Sequence, residues 1–204
     1  PLPFWYAPLE EAAIDLDAYP LNAITQRPMA MYHSWDSQNA WLRQIHSHNY
    51  LQVNPLTARA AGIADGGWCW VESQWGKVRC MIRYSEAVEP GTVWTWNAIG
   101  KADSAWQLAP GADEARKGFL LNHLITEELP FPIGKSGSQG GKTISNSDPI
   151  TGQAGWYDVR VRIRPAGPED PEETFPQITS VPAAPGVLGK AASVLTYFAG
   201  RKKS

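Results

Sequence analysis

Two stretches of the chain alternate between an apolar face and a mostly cationic face, which is the pattern of a half-buried β-strand. In residues 77–84 the apolar positions include Val78, Cys80 and Ile82, and residues 157–164 repeat the pattern. Four shorter apolar runs, each bounded by Pro, Gly or Asn, predict further strands. They cover residues 21–25, 50–53, 68–73 and 93–96. The pattern therefore predicts about six strands and a mainly β fold.

Two short helices are expected between these strands. The better marked one has Asn54 as N-cap, Pro55 at the first helical position and Gly62 as the stop. The earlier one is predicted to begin with Asp36 or Ser37 as N-cap and to carry Trp41 and Ile45 one turn apart. Residues 100–150 form a long irregular stretch with a short helix predicted over 117–128, and loops of that length are usually functional or disordered.

Proline divides the chain into three parts. Residues 1–18 form a Pro-rich arm that is expected to be extended, since proline removes amide donors. Residues 19–164 form the domain, and residues 165–204 begin with an acidic Pro-rich linker. A short amphipathic helical tail is predicted after the linker, from four apolar residues at helical spacing. These are Leu188, Ala191, Leu195 and Phe198.

Composition agrees with this interpretation and excludes several classes of protein. The 18 Gly and 17 Pro among 204 residues favour strands and turns over a helical bundle. A net charge of -2 offers no basic field for nucleic acid, so no nucleic-acid partner is expected. No apolar run approaches the ~18 residues of a membrane span, so no direct membrane span is expected. The first residues lack both Met and an export signal, and the chain is expected to be a piece of a longer protein.

Several familiar sites fail on their residue requirements. Cys69 and Cys80 are too few for an iron–sulfur cluster or a zinc ribbon, and a disulfide scaffold is not expected either. A phosphate loop ending at Lys142 fails because Ser136 stands where the motif needs glycine. The histidines at 33, 46 and 48 have no nearby ligands to complete a metal site. Most of the ten tryptophans are expected to be packed.

Three runs of residues resemble, in order and spacing, the C-terminal molybdopterin-dinucleotide-binding domain of the dimethyl sulfoxide reductase family. They are YPLNAITQRPMAMYHSW from Tyr19, LQVNPLTARAAGIADGG from Leu51 and VESQWGKV from Val71. Two later runs, VEPGTV from Val88 and NSDPITGQ from Asn146, are similar to the same family. The resemblance covers about residues 19–164.

The resemblance implies a six-stranded double-psi β-barrel with short helices. It also implies the C-terminal cofactor-binding domain of the catalytic subunit of a molybdenum or tungsten oxidoreductase, which holds bis-molybdopterin guanine dinucleotide. The metal ligand and an iron–sulfur cluster would belong to missing N-terminal domains, so the isolated chain is predicted to be inactive. The expected parent is a sulfite-type dehydrogenase or reductase with iron–sulfur and membrane-anchor subunits. It would work in the bacterial cytoplasm or periplasm, with the cytoplasm preferred.

The first loop after residue 25 is rich in hydrogen-bond donors, which suits the ring heteroatoms and pyrophosphate of a pterin dinucleotide. The resemblance assigns cofactor contacts to this loop and to positions nearer the end of the domain. The candidates are Thr25, Gln26, Arg27, His33, Ser34, Ser37, Asn122, Asn146, Asp148 and Tyr157. Either Asn122 or Asn146 matches the asparagine that the family uses near the pterin, and the sequence leaves both open.

Three other functions are compatible with parts of the chain. A double-psi barrel can serve as a protein-interaction module without cofactor, but such a module has no need for the donor-rich first loop. A sugar-binding module would need an exposed row of tryptophans and an export signal. A self-sufficient enzyme would need a nucleophile and base pair, and none emerges from the sequence.

Overall fold

The computed structural model describes part of the chain, and every structural statement below concerns that part. The described residues are 8, 10–32, 35–36, 39–97, 99, 118–126, 128–130, 143–148, 150–154, 159–167, 170, 178–181 and 192–195. The strands are β1 (Leu21–Gln26), β2 (Leu51–Val53), β3 (Trp68–Glu72), β4 (Lys77–Tyr84), β5 (Thr92–Trp96), β6 (Glu128–Pro130), β7 (Thr143–Ser145), β8 (Val159–Pro165), β9 (Ile178–Val181) and β10 (Ala192–Leu195). The α-helices are α1 (Leu42–Ile45) and α2 (Pro55–Ala60), and two 3-10 helices span Glu11–Ala13 and Leu121–Leu124.

Six strands close into a barrel in the order β1, β5, β2, β4, β3 and β8. Two neighbouring pairs are parallel: β1 with β5, from Asn22 opposite Thr92 to Gln26 opposite Trp96, and β2 with β4. The other four pairs around the barrel are antiparallel. The predicted mainly β fold and its six-stranded barrel are confirmed, and all six predicted strands are barrel strands.

The barrel interior is filled by the apolar faces that the alternating pattern predicts. In β4, Val78, Cys80 and Ile82 are essentially inaccessible to solvent, whereas Lys77 and Arg83 are exposed. Leu51, Val53, Val71, Val93, Val159 and Val161 complete this core from the other strands. The two thiols of Cys69 and Cys80 are free and lie 3.7 Å apart (Sγ to Sγ) on directly opposed positions of β3 and β4.

The helix α2 follows the local signals of its sequence. The side-chain Oδ1 of Asn54 accepts a hydrogen bond from the Leu56 amide at 2.9 Å, as an N-cap residue does. Pro55 occupies the first helical position, and Gly62 follows the helix with a φ of 72°. The Nδ2 of Asn54 also donates to the Val88 carbonyl at 2.7 Å, which fastens the helix to the connection before β5.

Two predicted helices are shorter than expected. The first is a single turn, and the Oδ1 of Asn39, three residues before it, accepts from Trp41 N at 3.0 Å. Asp36 is not the cap, because its carboxylate accepts from Tyr32 N instead. The prediction of a helix over 117–128 is wrong apart from the 3-10 turn at Leu121–Leu124. Glu128, the last residue of the predicted helix, begins β6 instead and pairs with Ser145 of β7.

The chain ends also differ from the sequence prediction in their local structure. The prediction of a helical tail is wrong for Ala192–Leu195, which pairs as a strand with Ile178–Val181. The N-terminal arm is not extended throughout, because Glu11–Ala13 forms a 3-10 turn between Pro8 and Pro20. The proposed boundaries of the arm, domain and tail stay predictions.

Candidate functional site

The barrel topology brings the carboxyl ends of β1, β5 and β3 to the same end as the starts of β2, β4 and β8. This follows from the two parallel and four antiparallel pairings. Thr25, Gln26 and Arg27 therefore lie at this end, where β1 stops and the first loop begins. We call it the loop end of the barrel, and α2 lies at the opposite end, directly after β2.

The segment around the 3-10 helix Leu121–Leu124 covers the loop end. Asn49, just before β2, donates from Nδ2 to the carbonyls of Trp96 at 3.0 Å and Phe119 at 3.1 Å. At the other side of the opening, the Ser73 hydroxyl donates to the Leu124 carbonyl at 2.7 Å. These contacts close the barrel and place Asn122, which is exposed, at the loop end.

Asn146 lies at the same end but inside a buried cluster. Its Nδ2 donates to the Thr126 carbonyl at 3.1 Å and to Glu10 Oε2 at 3.2 Å. The other carboxylate oxygen of Glu10 accepts from Trp75 Nε1 at 3.0 Å, and Trp75 sits in the turn between β3 and β4. The structure therefore brings both candidate asparagines to the loop end, with Asn122 exposed and Asn146 buried.

Asp148 organises the loop that follows Asn146. Its Oδ1 accepts hydrogen bonds from the amides of Ile150 at 3.0 Å and Thr151 at 2.7 Å, and from the Thr151 hydroxyl at 2.9 Å. Gly152 completes the turn with a φ of 73°, a conformation that favours glycine. Asp148 Oδ1 therefore orders the loop, which presents Ile150 to solvent at 90% exposure.

Four of the predicted site residues, His33, Ser34, Ser37 and Tyr157, lie outside the described residues. Within the described part of the first loop, Gln26 and Arg27 are exposed. Neither side chain has a hydrogen bond or ion pair to another described residue.

Large apolar side chains are exposed around the loop end. Among the described residues the exposed large hydrophobic side chains include Met29, Tyr32, Trp35, Trp41, Ile45 and Ile150, all in or after the first loop or at the tip of the Asp148 loop. The ring of His46, next to α1, packs against Trp96 at the end of β5 with 5.4 Å between centroids. Apolar surface of this kind typically marks a face that another part of a protein covers.

The described tryptophans divide in a way that bears on the sugar-binding alternative. Trp70 is buried, and Trp68, Trp75, Trp94 and Trp96 are half-buried, so most are packed, as the sequence predicts. Two of the described tryptophans are exposed: Trp35 in the first loop and Trp41 beside α1. No flat row of exposed indoles forms among the described residues.

Two charged or titratable side chains near the loop end have shifted pKa values. Burial lowers the pKa of His123, which therefore favours the neutral form. At the end of β3, burial alone would raise the pKa of Glu72, but hydrogen bonds and attraction from Arg164 and Arg162 outweigh it and lower the pKa. The guanidinium Nε atoms lie 2.8 Å and 2.9 Å from the Glu72 carboxylate. Glu72 therefore stays ionised as a structural partner of β8.

Sequence reasoning missed three residues of the loop end. Glu10 and Asn49 are buried polar residues whose contacts join distant segments, and no local pattern marks Glu10. Asn97 follows β5, and its backbone N–H donates to the Gln26 carbonyl at 2.7 Å. The side chain of Asn97 is the part that sequence reasoning missed. Its Oδ1 is buried and accepts no hydrogen bond from the described residues. A polar residue directly beside a strand end was the available signal for Asn49 and Asn97.

The donor set of the loop end fits a pterin dinucleotide by its chemistry. Arg27 offers a planar, charged fork for a phosphate, and the amides of Gln26 and Asn122 offer donors and acceptors for ring edges. All three are exposed. No group of three or more His, Cys, Asp or Glu side chains that could hold a metal ion occurs among the described residues. Nor does any described helix have the length and apolar character that crossing a membrane requires.

Comparison with solved structures supports the fold. Acetylene hydratase from Pelobacter acetylenicus matches with a TM-score of 0.54 and 18% identity, over 81% of this chain and 21% of that chain. Among curated proteins, the chain is 64% identical over 200 residues to a sulfite dehydrogenase subunit of Allochromatium vinosum. That match covers 98% of this chain and 20% of the relative, so the chain spans about a fifth of the relative's length.

A more distant relative and a family model point in the same direction. A putative dimethyl sulfoxide reductase catalytic subunit of Halobacterium salinarum is 30% identical over 118 residues, which is 54% of this chain and 14% of that protein. The model described as "Molydopterin dinucleotide binding domain" matches residues 21–154, which contain five of the six barrel strands and both loops of the candidate site. The chain belongs to this molybdopterin dinucleotide-binding family, as a member of the dimethyl sulfoxide reductase type.

Proposed function

We propose that the chain is the cofactor-closing C-terminal domain of the catalytic subunit of a sulfite-oxidising molybdenum or tungsten enzyme. The observation that carries this proposal is the 64% identity to the sulfite dehydrogenase subunit, which extends over 98% of the chain. Identity at this level reaches the arm and tail as well as the barrel, whereas the 30% match covers 54% of the chain.

The loop end would bind the dinucleotide part of bis-molybdopterin guanine dinucleotide. The exposed guanidinium of Arg27 suits the pyrophosphate, and the amides of Gln26 and Asn122 suit the ring edges. The exposed apolar side chains of the first loop would pack against the remaining domains and exclude water from the cofactor. When bound, the cofactor supplies the oxidation–reduction chemistry, and the chain supplies binding and orientation.

The cofactor contact is tested by replacing Arg27 with Ala in the full-length protein. A charged, multi-donor contact contributes about 1.5–3 kcal/mol, so retention of the cofactor should weaken roughly 10- to 100-fold. Molybdenum and pterin per polypeptide are measured after identical purifications. Arg59→Ala is the matched control, because Arg59 is an exposed arginine of α2 at the opposite end of the barrel.

The cofactor site at the loop end would be refuted by unchanged molybdenum and pterin content in Arg27→Ala, Gln26→Ala and Asn122→Ala alike. Equal losses in these variants and in Arg59→Ala would indicate general instability and would also count against a specific contact.

The substrate proposal is tested with the cofactor-loaded full-length enzyme. Sulfite should reduce an artificial electron acceptor in its presence, and dimethyl sulfoxide should not reoxidise a reduced viologen at a comparable rate. Turnover of dimethyl sulfoxide without any sulfite oxidation would refute the sulfite assignment and leave the family membership standing.

We also propose that the full-length protein assembles with iron–sulfur and membrane-anchor subunits. The relative with 64% identity is named as one subunit of a sulfite dehydrogenase, which supports an assembly of several different chains. Isolation of the affinity-tagged protein from its own cells, with and without detergent, should recover both partners. Fractionation of the same cells should place the protein in the cytoplasm, and recovery in the periplasm would refute that placement.

A further inference from the structure

The buried cluster at the loop end contains a carboxylate that comes from far away in the sequence. Glu10 is 1% exposed, and its two oxygens accept hydrogen bonds from different segments of the barrel. One comes from Trp75 in the turn between β3 and β4, and the other comes from Asn146 after β7. A buried carboxylate is costly unless it is well hydrogen-bonded, so this arrangement constrains its partners strongly.

The contacts of Asn146 determine which way its amide points. Its two neighbours in the cluster, the Glu10 carboxylate and the Thr126 carbonyl, are both acceptors, so the amide must turn its Nδ2 toward them. Both hydrogens of Nδ2 are then engaged. The oxygen Oδ1 is the part of the amide that neither contact uses, and the residue as a whole is 9% exposed.

We infer that Glu10 is a positioning residue of the dinucleotide site, which holds the Asn146 amide so that it offers its oxygen, as an acceptor, to N–H groups of the bound cofactor. This inference rests on the proposed function. It goes beyond it by naming a residue outside residues 21–154, the part of the chain that the family model matches, and by assigning Asn146 one hydrogen-bonding sense. Residues that orient a ligand-binding side chain in this way are often as important as the contact itself.

The two candidate asparagines would then differ in the hydrogen bonds that they can offer to the cofactor. Asn122 is exposed, and no described residue engages its amide, so it can offer a donor or an acceptor. Asn146 can offer an acceptor alone while Glu10 is in place. The two residues would therefore serve different atoms of the ligand.

The experiment compares Glu10→Gln with Gln74→Ala in the cofactor-loaded full-length protein. Gln74 Nε2 donates to the Ala13 carbonyl at 3.1 Å, so its loss loosens the same N-terminal segment from the same turn without touching Asn146. We measure the rate of cofactor release, from the fraction of molybdenum and pterin that stays with the polypeptide in gel filtration after increasing times at a fixed, sub-denaturing urea concentration. The melting temperature of each cofactor-free variant is measured in parallel.

Glu10→Gln should release the cofactor about tenfold faster, as should Asn146→Ala, and the double variant should release it no faster than either. Gln74→Ala should change the rate by less than about twofold. A glutamine at position 10 has one acceptor for the two donors that described residues place against it, Trp75 and Asn146, so Trp75→Phe in the Glu10→Gln background should free that acceptor for Asn146 and slow the release again. If Glu10 had a purely structural role, the effects of Glu10→Gln and Trp75→Phe on the release rate would instead add.

The outcomes separate this inference from the proposed function. Normal retention in Asn146→Ala together with loss in Arg27→Ala would overturn the role of Glu10 and keep the cofactor site. Loss in Asn146→Ala with normal retention in Glu10→Gln would also overturn it. Release rates that follow the melting temperatures across all variants, Gln74→Ala included, would reduce Glu10 to a structural residue and overturn the inference.

Discussion

Replacement of Asn49 by Ala should detach the segment that closes the loop end. The side chain is 3% exposed and makes three hydrogen bonds. Its Nδ2 serves the carbonyls of Trp96 and Phe119, and its Oδ1 accepts from the Thr95 hydroxyl at 2.7 Å. The Thr95 hydroxyl can still donate to the Tyr50 carbonyl at 3.1 Å, so the loss of its hydrogen bond to Asn49 costs little stability.

The magnitude follows from the two carbonyl oxygens that lose their donor. An unsatisfied buried polar group costs about 1–3 kcal/mol, and partial entry of water reduces that cost, so we expect a total loss of about 2–4 kcal/mol. For a chain of this size the melting temperature should fall by about 4–16 °C. Thermal unfolding followed by circular dichroism measures the shift.

Asn122→Ala is the matched control, because Asn122 is an exposed asparagine of the same covering segment and its side chain makes no hydrogen bond to a described residue. Its stability change should stay within about 0.5 kcal/mol. Equal melting temperatures for Asn49→Ala and the parent chain would refute the reasoning, since they would mean that the covering segment does not depend on Asn49.

Three further outcomes are expected. Ile82→Ala should lower the free energy of unfolding by about 2–5 kcal/mol because the side chain is fully buried, and a loss below ~0.5 kcal/mol in a urea titration would contradict the strand face. Acidification should destabilise the fold in two steps. Burial lowers the pKa of His123, so its contribution is complete above the unfolded value of 6.5 and is lost as pH falls through the folded pKa. The contribution of Glu72, whose pKa is held down by Arg164 and Arg162 against burial, is lost below the unfolded value of 4.5. Urea titrations between about pH 8 and about pH 4 check the first step, and a flat profile over that range would contradict it. Finally, the thiols of Cys69 and Cys80 are buried and burial raises the pKa of Cys80, so alkylation should require unfolding, and rapid labelling of the native chain would contradict the packing.

The sequence determined those features whose causes lie within a few residues. The period of two in β4 identified its buried face, since alternate side chains of a strand point to opposite sides. The N-cap, proline and glycine of α2 are likewise a local code, because each acts on the backbone groups of the adjacent turn. Three runs of residues that begin at Tyr19, Leu51 and Val71 indicated, by their order and spacing, the family that the match over residues 21–154 shows.

Local signals failed where a tertiary partner was stronger. The apolar spacing around Leu195 predicts a helix, but Ala192–Leu195 pairs with an earlier strand. The helix predicted from Asp36 or Ser37 begins later, at Leu42, and the Asp36 carboxylate accepts from Tyr32 N instead of capping it. Hydrogen bonding to a distant or differently placed backbone group outweighs propensities that differ by fractions of a kcal/mol per residue.

Only the tertiary structure decided which candidate residues meet. Thr25 lies at the loop end because of the strand order and strand directions around the closed barrel, and Asn146 is held at the same end by its hydrogen bonds to Thr126 and Glu10. That order depends on burying the whole core at once, and no short window of sequence contains it. The same holds for Glu10, whose carboxylate is satisfied by donors from two segments that are far away along the chain. A buried carboxylate meets its hydrogen-bond donors only when the chain has folded, so its role can be identified from the structure and not from the sequence.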